Sequence, residues 1–223
     1  MIKMKILAID TSTEDSSVAV FEDGKIVGEC TVNQKRTHSE TLVPIIKDLL
    51  SYLSIDLEEL DLIAVGKGPG SFTGVRIGMT VAKTLAQVLE KDIIGISTLE
   101  ALAYMASSDI VMPVVNARGG RIYYSFFDKD GKRLSPDALS FAEDLAEEIK
   151  AYDKVQVIGD YDEEIKEDLS LDGVSFAKPV FNKLIARGIC YLAYEKYEAG
   201  QVDKLMDLRA NYVRKSQAER DMK

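Results

Sequence analysis

The sequence has very few side chains suited to metal binding or nucleophilic catalysis. Its 223 residues include one histidine, His38, and two cysteines, Cys30 and Cys190, which lie far apart in unrelated patterns. A zinc site with two or three histidines is therefore excluded, and the cysteines lack zinc-ligand spacing. A Ser–His–acid hydrolase would have to use His38, and no nucleophile elbow accompanies it. No pattern supports a disulfide, so a reducing cytosol is the expected compartment.

Long apolar segments are also absent. No window approaches the roughly 20 apolar residues needed to span a bilayer, and residues 1–10 have the pattern of a first buried strand rather than of a signal peptide. The net charge of −9 argues against nucleic-acid binding by this chain alone, because lysine and arginine supply that affinity. We interpret two small basic clusters as solvated surface. They are Lys35–Arg36 and the tail residues Arg214, Lys215, Arg220 and Lys223.

Hydrophobic periodicity predicts the order βββαβαβα for the first half of the chain. The predicted strands are residues 5–9, 16–21, 26–32, 62–65 and 93–96, and the predicted helices are residues 41–54, 74–90 and a short helix that ends near 105. We expect Thr41 to cap the first helix, with Pro44 in its first turn. Ser97 and Glu100 predict a capping box for the short helix.

The second half is predicted to be a looser copy of the first. It has a hairpin of residues 111–117 and 122–127, strands at 155–158 and 174–176, a short helix at 163–169 and an extended segment at 208–213. We expect a Ser140–Glu143 capping box to open a helix that ends near Tyr152, and Asn182 to cap a helix that ends near Gly200. The predicted fold class is α/β with mixed sheets, in two domains of residues 1–107 and 108–223 whose tail packs back on the first.

A glycine-rich loop lies between a predicted strand and a helix start. Such a loop can present backbone N–H groups to an anion, but there is no Gly-Lys-Ser/Thr ending and the spacing differs from the dinucleotide fingerprint. We favour a tight turn in which Ser71 or Thr73 caps the helix. Asp10 could hold magnesium through water or bond its own backbone in a turn. A phosphate-contacting loop would comprise Asp10, Thr11, Ser12, Gly68, Gly70, Ser71 and Thr73.

Two helices are broader in apolar character than one buried face requires. Small residues recur every four positions in the second of them and form a ridge that allows close helix packing. These helices either pack only on the sheet and on each other, or leave apolar surface for a partner's helices. The residues concerned are Leu42, Ile46, Leu49, Leu50 and Leu53 in the first helix, and Gly74, Gly78, Ala82, Leu85, Ala86 and Leu89 in the second.

Several segments resemble the TsaB (YeaZ) family. They are residues 6–13, His38-Ser39-Glu40 with Pro44, Gly68–Gly78, residues 115–118, Ile122-Tyr123 and residues 212–214. The segment Gly68-Pro-Gly-Ser-Phe-Thr-Gly-Val-Arg-Ile-Gly78 is the most specific, and the resemblance spans almost the whole chain. Asn116 departs from the family, which usually has aspartate there, so a metal or charge role at that position is in doubt.

The resemblance implies an actin-like ATPase fold with two related halves and a role in making N6-threonylcarbamoyladenosine (t6A) next to the anticodon of tRNA. In that system the paralogue TsaD holds the metal and the catalytic site, TsaE is an ATPase, and TsaC supplies threonylcarbamoyl-adenylate. TsaB members scaffold TsaD and self-associate through their N-terminal helices. The resemblance therefore implies a cytoplasmic, non-catalytic subunit that binds no cofactor alone, reaches tRNA through the complex, and uses the two broad helices as its partner surface.

The catalytic paralogue carries a His-x-x-x-His pair for its metal, and the matching positions in this chain are Thr98 and Leu102. Neither side chain can replace an imidazole as a ligand. Two alternatives remain at this point. A small-molecule kinase of the same fold would use Asp10 and the glycine-rich loop, although only the first half has a convincing phosphate loop. A peptidase would need a base and a metal or nucleophile, for which the chain offers only His38.

Overall fold

The computed structural model describes residues 4–33, 38–183 and 185–213. The strands are β1 Lys5–Asp10, β2 Ser16–Glu22, β3 Lys25–Val32, β4 Leu62–Gly66, β5 Asp92–Ile96, β6 Ile110–Arg118, β7 Arg121–Tyr124, β8 Phe127–Asp128, β9 Ala138–Phe141, β10 Val155–Asp160 and β11 Val174–Phe176. The helices are α1 His38–Leu53, α2 Phe72–Val88, α3 Thr98–Tyr104, α4 Ala146–Ile149, α5 Glu163–Asp168 and α6 Ile185–Glu198, with 3₁₀ turns at Leu57–Glu59, Ala142–Leu145 and Pro179–Lys183. The predicted order of the first half is confirmed.

The two sheets repeat one topology. The first has the order β3-β2-β1-β4-β5, with antiparallel β1–β2 and β2–β3 pairs and parallel β1–β4 and β4–β5 pairs. The second has the order β9-β7-β6-β10-β11, in which the first two pairs are likewise antiparallel and the last two parallel. Strand β8 pairs separately with β6. The predicted α/β class with two related halves is confirmed. The division at residue 107 stays a prediction.

Alternating side chains of β1 assign the layers of the first half, because successive strand residues point to opposite faces. Leu7 and Ile9 belong to a core shared with α1 and α2. Ile6 and Ala8 belong to a second core shared with α3 and α6. Helix α6 lies against the first sheet and also packs on α3, which in turn contacts β6 and β10. The pair α3–α6 is therefore the layer between the two sheets.

Helix α1 begins at His38, three residues before the predicted start. The prediction of Thr41 as its cap is wrong, and Pro44 lies inside the helix rather than in its first turn. The early start is held by contacts to β2, because His38 Nδ1 lies 2.9 Å from Ser16 Oγ and Thr41 Oγ1 lies 3.1 Å from the same atom. Lys35–Arg36 and the basic tail lie outside the described residues.

Two other predicted caps are wrong, and a third lies at the predicted position without its capping bond. Ser140 lies in β9, paired with Ile122, and is followed by a 3₁₀ turn and the short α4 rather than by a long helix. Asn182 accepts a hydrogen bond from Gly159 N at 3.0 Å and lies three residues before α6 begins. Ser97 occupies the N-cap position of α3 without a side-chain capping bond. For Ser140 and Asn182, a partner distant in sequence competes with the local capping bond.

The segment after α6 returns to the first half. Asp203 forms an isolated antiparallel bridge with Ile93, and its carboxylate accepts a hydrogen bond from Gly95 N at 2.8 Å. Leu208 is buried in the core of α1 and α2. Further along, Asn211 N donates to the Lys67 carbonyl at 2.6 Å. Residues 208–213, predicted as an extended segment, are neither helix nor strand in the structure.

Two general expectations can be compared with the described residues. Cys30 and Cys190 are both free thiols, so they form no disulfide with each other. Within the described ranges, no helix has the length and apolar character needed to cross a membrane.

Candidate functional site

The glycine-rich loop folds directly onto the end of β1. Ser71 N donates to the Ser12 carbonyl at 2.7 Å, and Gly70 lies so close to that carbonyl that a Cβ would collide with it. The Gly68 carbonyl accepts a hydrogen bond from Thr98 N at 3.0 Å. Glycine is needed at residue 70 because two backbone segments approach closely there. The loop is a packed turn between two strand ends.

The first two turns of α2 form hydrogen bonds with Ser71 and Thr11. Ser71 Oγ accepts from Gly74 N at 3.2 Å, which confirms Ser71 rather than Thr73 as the helix cap. Thr11 Oγ1 donates to the Gly74 carbonyl at 2.7 Å and accepts from Gly78 N at 3.1 Å. The Gly74 amide of the first turn therefore already has an acceptor, and the Gly78 amide lies inside the helix. The geometry agrees with the favoured interpretation of a capped turn, and it leaves fewer donors for a phosphate.

Asp10 is a buried turn residue with one unsatisfied oxygen. Its Oδ2 accepts from Ser12 N at 3.1 Å and from Ser12 Oγ at 2.8 Å, as in an Asx turn. Its Oδ1 is buried without a hydrogen-bond partner among the described atoms. Burial raises the pKa of Asp10 to about 6, with a further increase from the charge of Asp15, while the Ser12 bonds act in the opposite direction. At neutral pH the Asp10 carboxylate is therefore destabilised by its burial and is not stabilised by a neighbouring cation in the described part of the chain.

The positions that match the metal ligands of the catalytic paralogue are fully buried. Thr98 and Leu102 both have 0% exposed surface, and Leu102 packs close to Gly159 of the second half. Across residues 4–33, 38–183 and 185–213, no group of three or more His, Cys, Asp or Glu side chains could hold a metal ion. These residues therefore fit no metal, because ligands must converge with free lone pairs.

The small-residue ridge of α2 faces the first sheet. Gly74, Gly78, Ala82 and Ala86 are all buried. A Cβ on Gly74 would collide with the Thr11 carbonyl, and one on Gly78 would lie 2.5 Å from Thr11 Oγ1. The expectation that this ridge is open to a partner's helix is therefore wrong. It is small because α2 approaches β1 and its following loop closely.

The predicted apolar residues of α1 also point mainly inward. Leu42, Ile46 and Leu50 are buried. Leu49 and Leu53 are half-buried and pack on Gly28 of β3. A Cβ added to Gly28 would lie 3.0 Å from Leu49 Cδ1 and 2.9 Å from Leu53 Cδ1. Of the predicted partner residues, only Leu49, Leu53, Leu85 and Leu89 keep part of their surface accessible.

An open apolar face nevertheless exists on α1 and α2. Val43 and Tyr52 of α1 are 55% and 89% exposed, and Val88 of α2 is 74% exposed. A groove of about 410 Å³ lies between these helices and the 3₁₀ turn that follows α1. Its lining residues are Val43, Ile46, Lys47, Leu50, Ser51, Ile55, Asp56, Leu57, Glu58, Val81 and Leu85. We call this surface the α1–α2 groove.

Sequence reasoning missed the residues that make this groove accessible. Val43 in this groove, and the exposed Val88 farther along α2, were not among the predicted partner residues. The signal that could have found them is their position outside the stripe that faces the sheet. In an amphipathic helix that packs on one sheet, an apolar residue on the opposite side has no partner within the chain.

Asn116 has a structural role at the end of β6. Its Nδ2 donates to Asp162 Oδ2 at 3.0 Å, and its Oδ1 accepts from Arg118 N at 2.7 Å. Asp162 also caps α5 by accepting from Ile165 N at 3.0 Å. Asn116 therefore joins the β6 end to the α5 start.

Comparisons with known proteins agree with this arrangement. The family model described as TsaD, tRNA N6-adenosine threonylcarbamoyltransferase, matches residues 25–216. The tRNA threonylcarbamoyladenosine biosynthesis protein TsaB of Bacillus subtilis strain 168 is 36% identical over 156 residues, which is 68% of this chain and 68% of that protein. This chain belongs to the TsaB family. TsaB of Escherichia coli K12 is 38% identical over 131 residues, so the match spans 57% of this chain and 56% of the relative's length.

A solved structure extends the TsaB likeness to nearly the whole chain. YeaZ from Pseudomonas aeruginosa superposes with a TM-score of 0.80 at 26% identity, and covers 94% of this chain and 99% of its own. Together with the repeated sheet topology, this likeness confirms the two-half actin-like fold that the resemblance implied.

Proposed function

We propose that this TsaB-family chain is a cytoplasmic, non-catalytic subunit of the machinery that installs t6A in tRNA, and that it docks the paralogue TsaD through the α1–α2 groove. The open apolar groove, with Val43 and Val88 exposed on its two helices, is the observation that carries this proposal. Burial of such side chains is the main driving force for association, whereas exposure in a lone chain is unfavourable.

The absence of chemistry in this chain is part of the proposal. Support comes from the burial of Thr98 and Leu102, where the catalytic paralogue has its ligands. It also comes from the Ser71 and Gly74 amides, which already bond the Ser12 carbonyl and Ser71 Oγ. ATP and the metal then belong to the partner subunits, and TsaE joins through the assembled TsaB–TsaD pair. With a net charge of −9, this chain is expected to bind intact tRNA only weakly by itself and to reach it through the complex.

Reconstitution tests this function. Purified TsaD, TsaE and TsaC from the same source are incubated with tRNA, threonine, bicarbonate and ATP, with and without this chain, and t6A is measured by mass spectrometry of tRNA hydrolysates. We expect t6A only when this chain and TsaD are both present, and none from this chain with tRNA and threonylcarbamoyl-adenylate alone. Formation of t6A by the chain alone, or full activity without it, would refute the proposal.

A further inference from the structure

A second, polar pocket lies away from the α1–α2 groove. It has a volume of about 560 Å³, within the range of small-ligand sites. The end of β4, the start of α3, the segment between β8 and β9 and the C-terminal segment all contribute to its wall. The lining residues are Lys67, Ser97, Glu100, Arg133, Asp137, Arg209, Asn211 and Val213.

The two acidic residues of this pocket are neutralised from within. Arg133 donates to Glu100 Oε1 at 3.1 Å and also pairs with Asp137. Lys196 Nζ lies 3.7 Å from Glu100 Oε2, and Asn211 Nδ2 donates to Asp137 Oδ2 at 2.6 Å. Although burial opposes ionisation of Glu100, the neighbouring cations hold its pKa below the ordinary value. Both carboxylates are therefore satisfied without a ligand.

Two cations of the pocket form no direct ion pair among the described residues, although the charge of Lys67 also acts on Glu100. In the part of the chain that the structure describes, neither Lys67 nor Arg209 lies within ion-pair distance of an acidic side chain. The pocket and its immediate partner Lys196 hold four cationic and two anionic side chains. A local positive excess in a chain with a net charge of −9 is an electrostatic feature that favours an anion.

Backbone hydrogen bonds hold Lys67 in the pocket wall, and side-chain contacts hold Arg133. Lys67 N donates to the Ile96 carbonyl at 2.8 Å, and the Lys67 carbonyl accepts from Asn211 N at 2.6 Å. The Arg133 guanidinium lies 4.7 Å from the centre of the Phe127 ring, and its two carboxylate partners hold it in place. The pocket is therefore formed when the C-terminal segment returns to the first half, and its donors are positioned before a ligand arrives.

We propose that this pocket binds a phosphate group, with Lys67 and Arg209 as its charge partners and Ser97 as a hydrogen-bond donor. Arginine presents paired N–H donors that match phosphate oxygens, and lysine adds a compact charge. The phosphate comes either from a free phosphomonoester or from the backbone of an RNA. This proposal does not depend on docking through the α1–α2 groove.

The test is isothermal titration of the purified full chain with inorganic phosphate, with AMP and with an anticodon stem-loop RNA. Lys67→Gln and Arg209→Gln are each expected to weaken binding about fivefold, since one unit charge near 4 Å contributes that much even in water. Lys154→Gln makes the same charge change at an exposed position outside the pocket and serves as the control, with no change expected.

Glu100→Gln separates a binding role from a structural one. Removing this negative charge increases the positive excess, so phosphate binding is expected to tighten about fivefold, whereas damage to the pocket would weaken it. Saturable binding of AMP that follows this pattern identifies the ligand as a free phosphomonoester. Binding of the stem-loop RNA without binding of AMP identifies it as a nucleic-acid backbone. No saturable binding of any probe at millimolar concentration, or equal binding by the Lys67 and Lys154 variants, would overturn the proposal.

Discussion

Lys183 and Asp15 form an ion pair between the two halves of the chain, with Nζ 2.6 Å from Oδ2. Asp15 is almost fully buried, and its second oxygen accepts a hydrogen bond from Asn33 Nδ2 at 2.6 Å. The lysine comes from the 3₁₀ turn that precedes α6, whereas the aspartate lies in the turn between β1 and β2. This pair joins the first half to the second beside the Asp10 turn.

Replacing Lys183 by methionine is expected to lower the free energy of unfolding by about 1.5–3 kcal/mol, the usual contribution of a hydrogen bond to a charged group. The loss arises because Asp15 stays buried with its charge only partly satisfied. Lys178→Met is the control, because Lys178 is exposed and forms no ion pair with any residue that the structure describes. Urea denaturation of both variants checks the prediction, and equal effects of the two changes would contradict it.

The buried carboxylate of Asp10 predicts a dependence of stability on pH. Its pKa is raised from the ordinary value of 3.8 to about 6 in the folded chain, so the folded state binds this proton more tightly than the unfolded state. The stability that protonated Asp10 contributes is present at low pH and is lost as pH rises through the folded value. Asp10→Asn keeps an oxygen for Ser12 and carries no charge.

At about pH 8 we expect Asp10→Asn to be about 1–3 kcal/mol more stable than the unmodified chain, since each pKa unit corresponds to 1.36 kcal/mol and the new amide N–H groups offset part of the gain. The advantage disappears at about pH 4 because Asp10 is then protonated. Urea denaturation at the two pH values measures it. A variant less stable at the higher pH would show that the Asp10 charge is balanced by a group such as a bound cation.

The return of the C-terminal segment is expected to stabilise the first half. Leu208 is 5% exposed and packs in the core of α1 and α2, so Leu208→Ala should cost about 2–5 kcal/mol. Met206, two residues earlier, is 75% exposed, and Met206→Ala should change stability by no more than about 0.5 kcal/mol. Thermal unfolding distinguishes the two. Comparable losses in both variants would mean that the segment does not pack as described.

Local sequence patterns predicted much of the fold. The first-half element order, the fold class and the Ser71 cap follow from hydrophobic period and capping chemistry, which act over a few residues. Thr41, Ser140 and Asn182 were predicted as caps and are not. The side chains of Thr41 and Asn182 bond groups distant in sequence, and the backbone of Ser140 pairs with β7. Local propensity cannot represent such competition.

The candidate site was harder to predict than the fold. The apolar content of α1 and α2 correctly indicated more surface than one sheet needs, but the sequence did not say which side was left over. Ala82 has no exposed surface, so a substitution there would test core packing rather than docking, whereas Val43 is accessible. The polar pocket was missed because its residues come from four separate segments, and only the folded chain brings Lys67 and Arg209 together.

The affinity of this chain for TsaD, measured by isothermal titration with matched glutamate substitutions, tests docking most directly. Val43→Glu places a charge in the α1–α2 groove, and Val180→Glu makes the same change at a position that is 60% exposed and outside it. We predict that Val43→Glu weakens binding at least about tenfold while Val180→Glu binds as the unmodified chain does. Undiminished affinity of a folded Val43→Glu variant for TsaD would contradict the account.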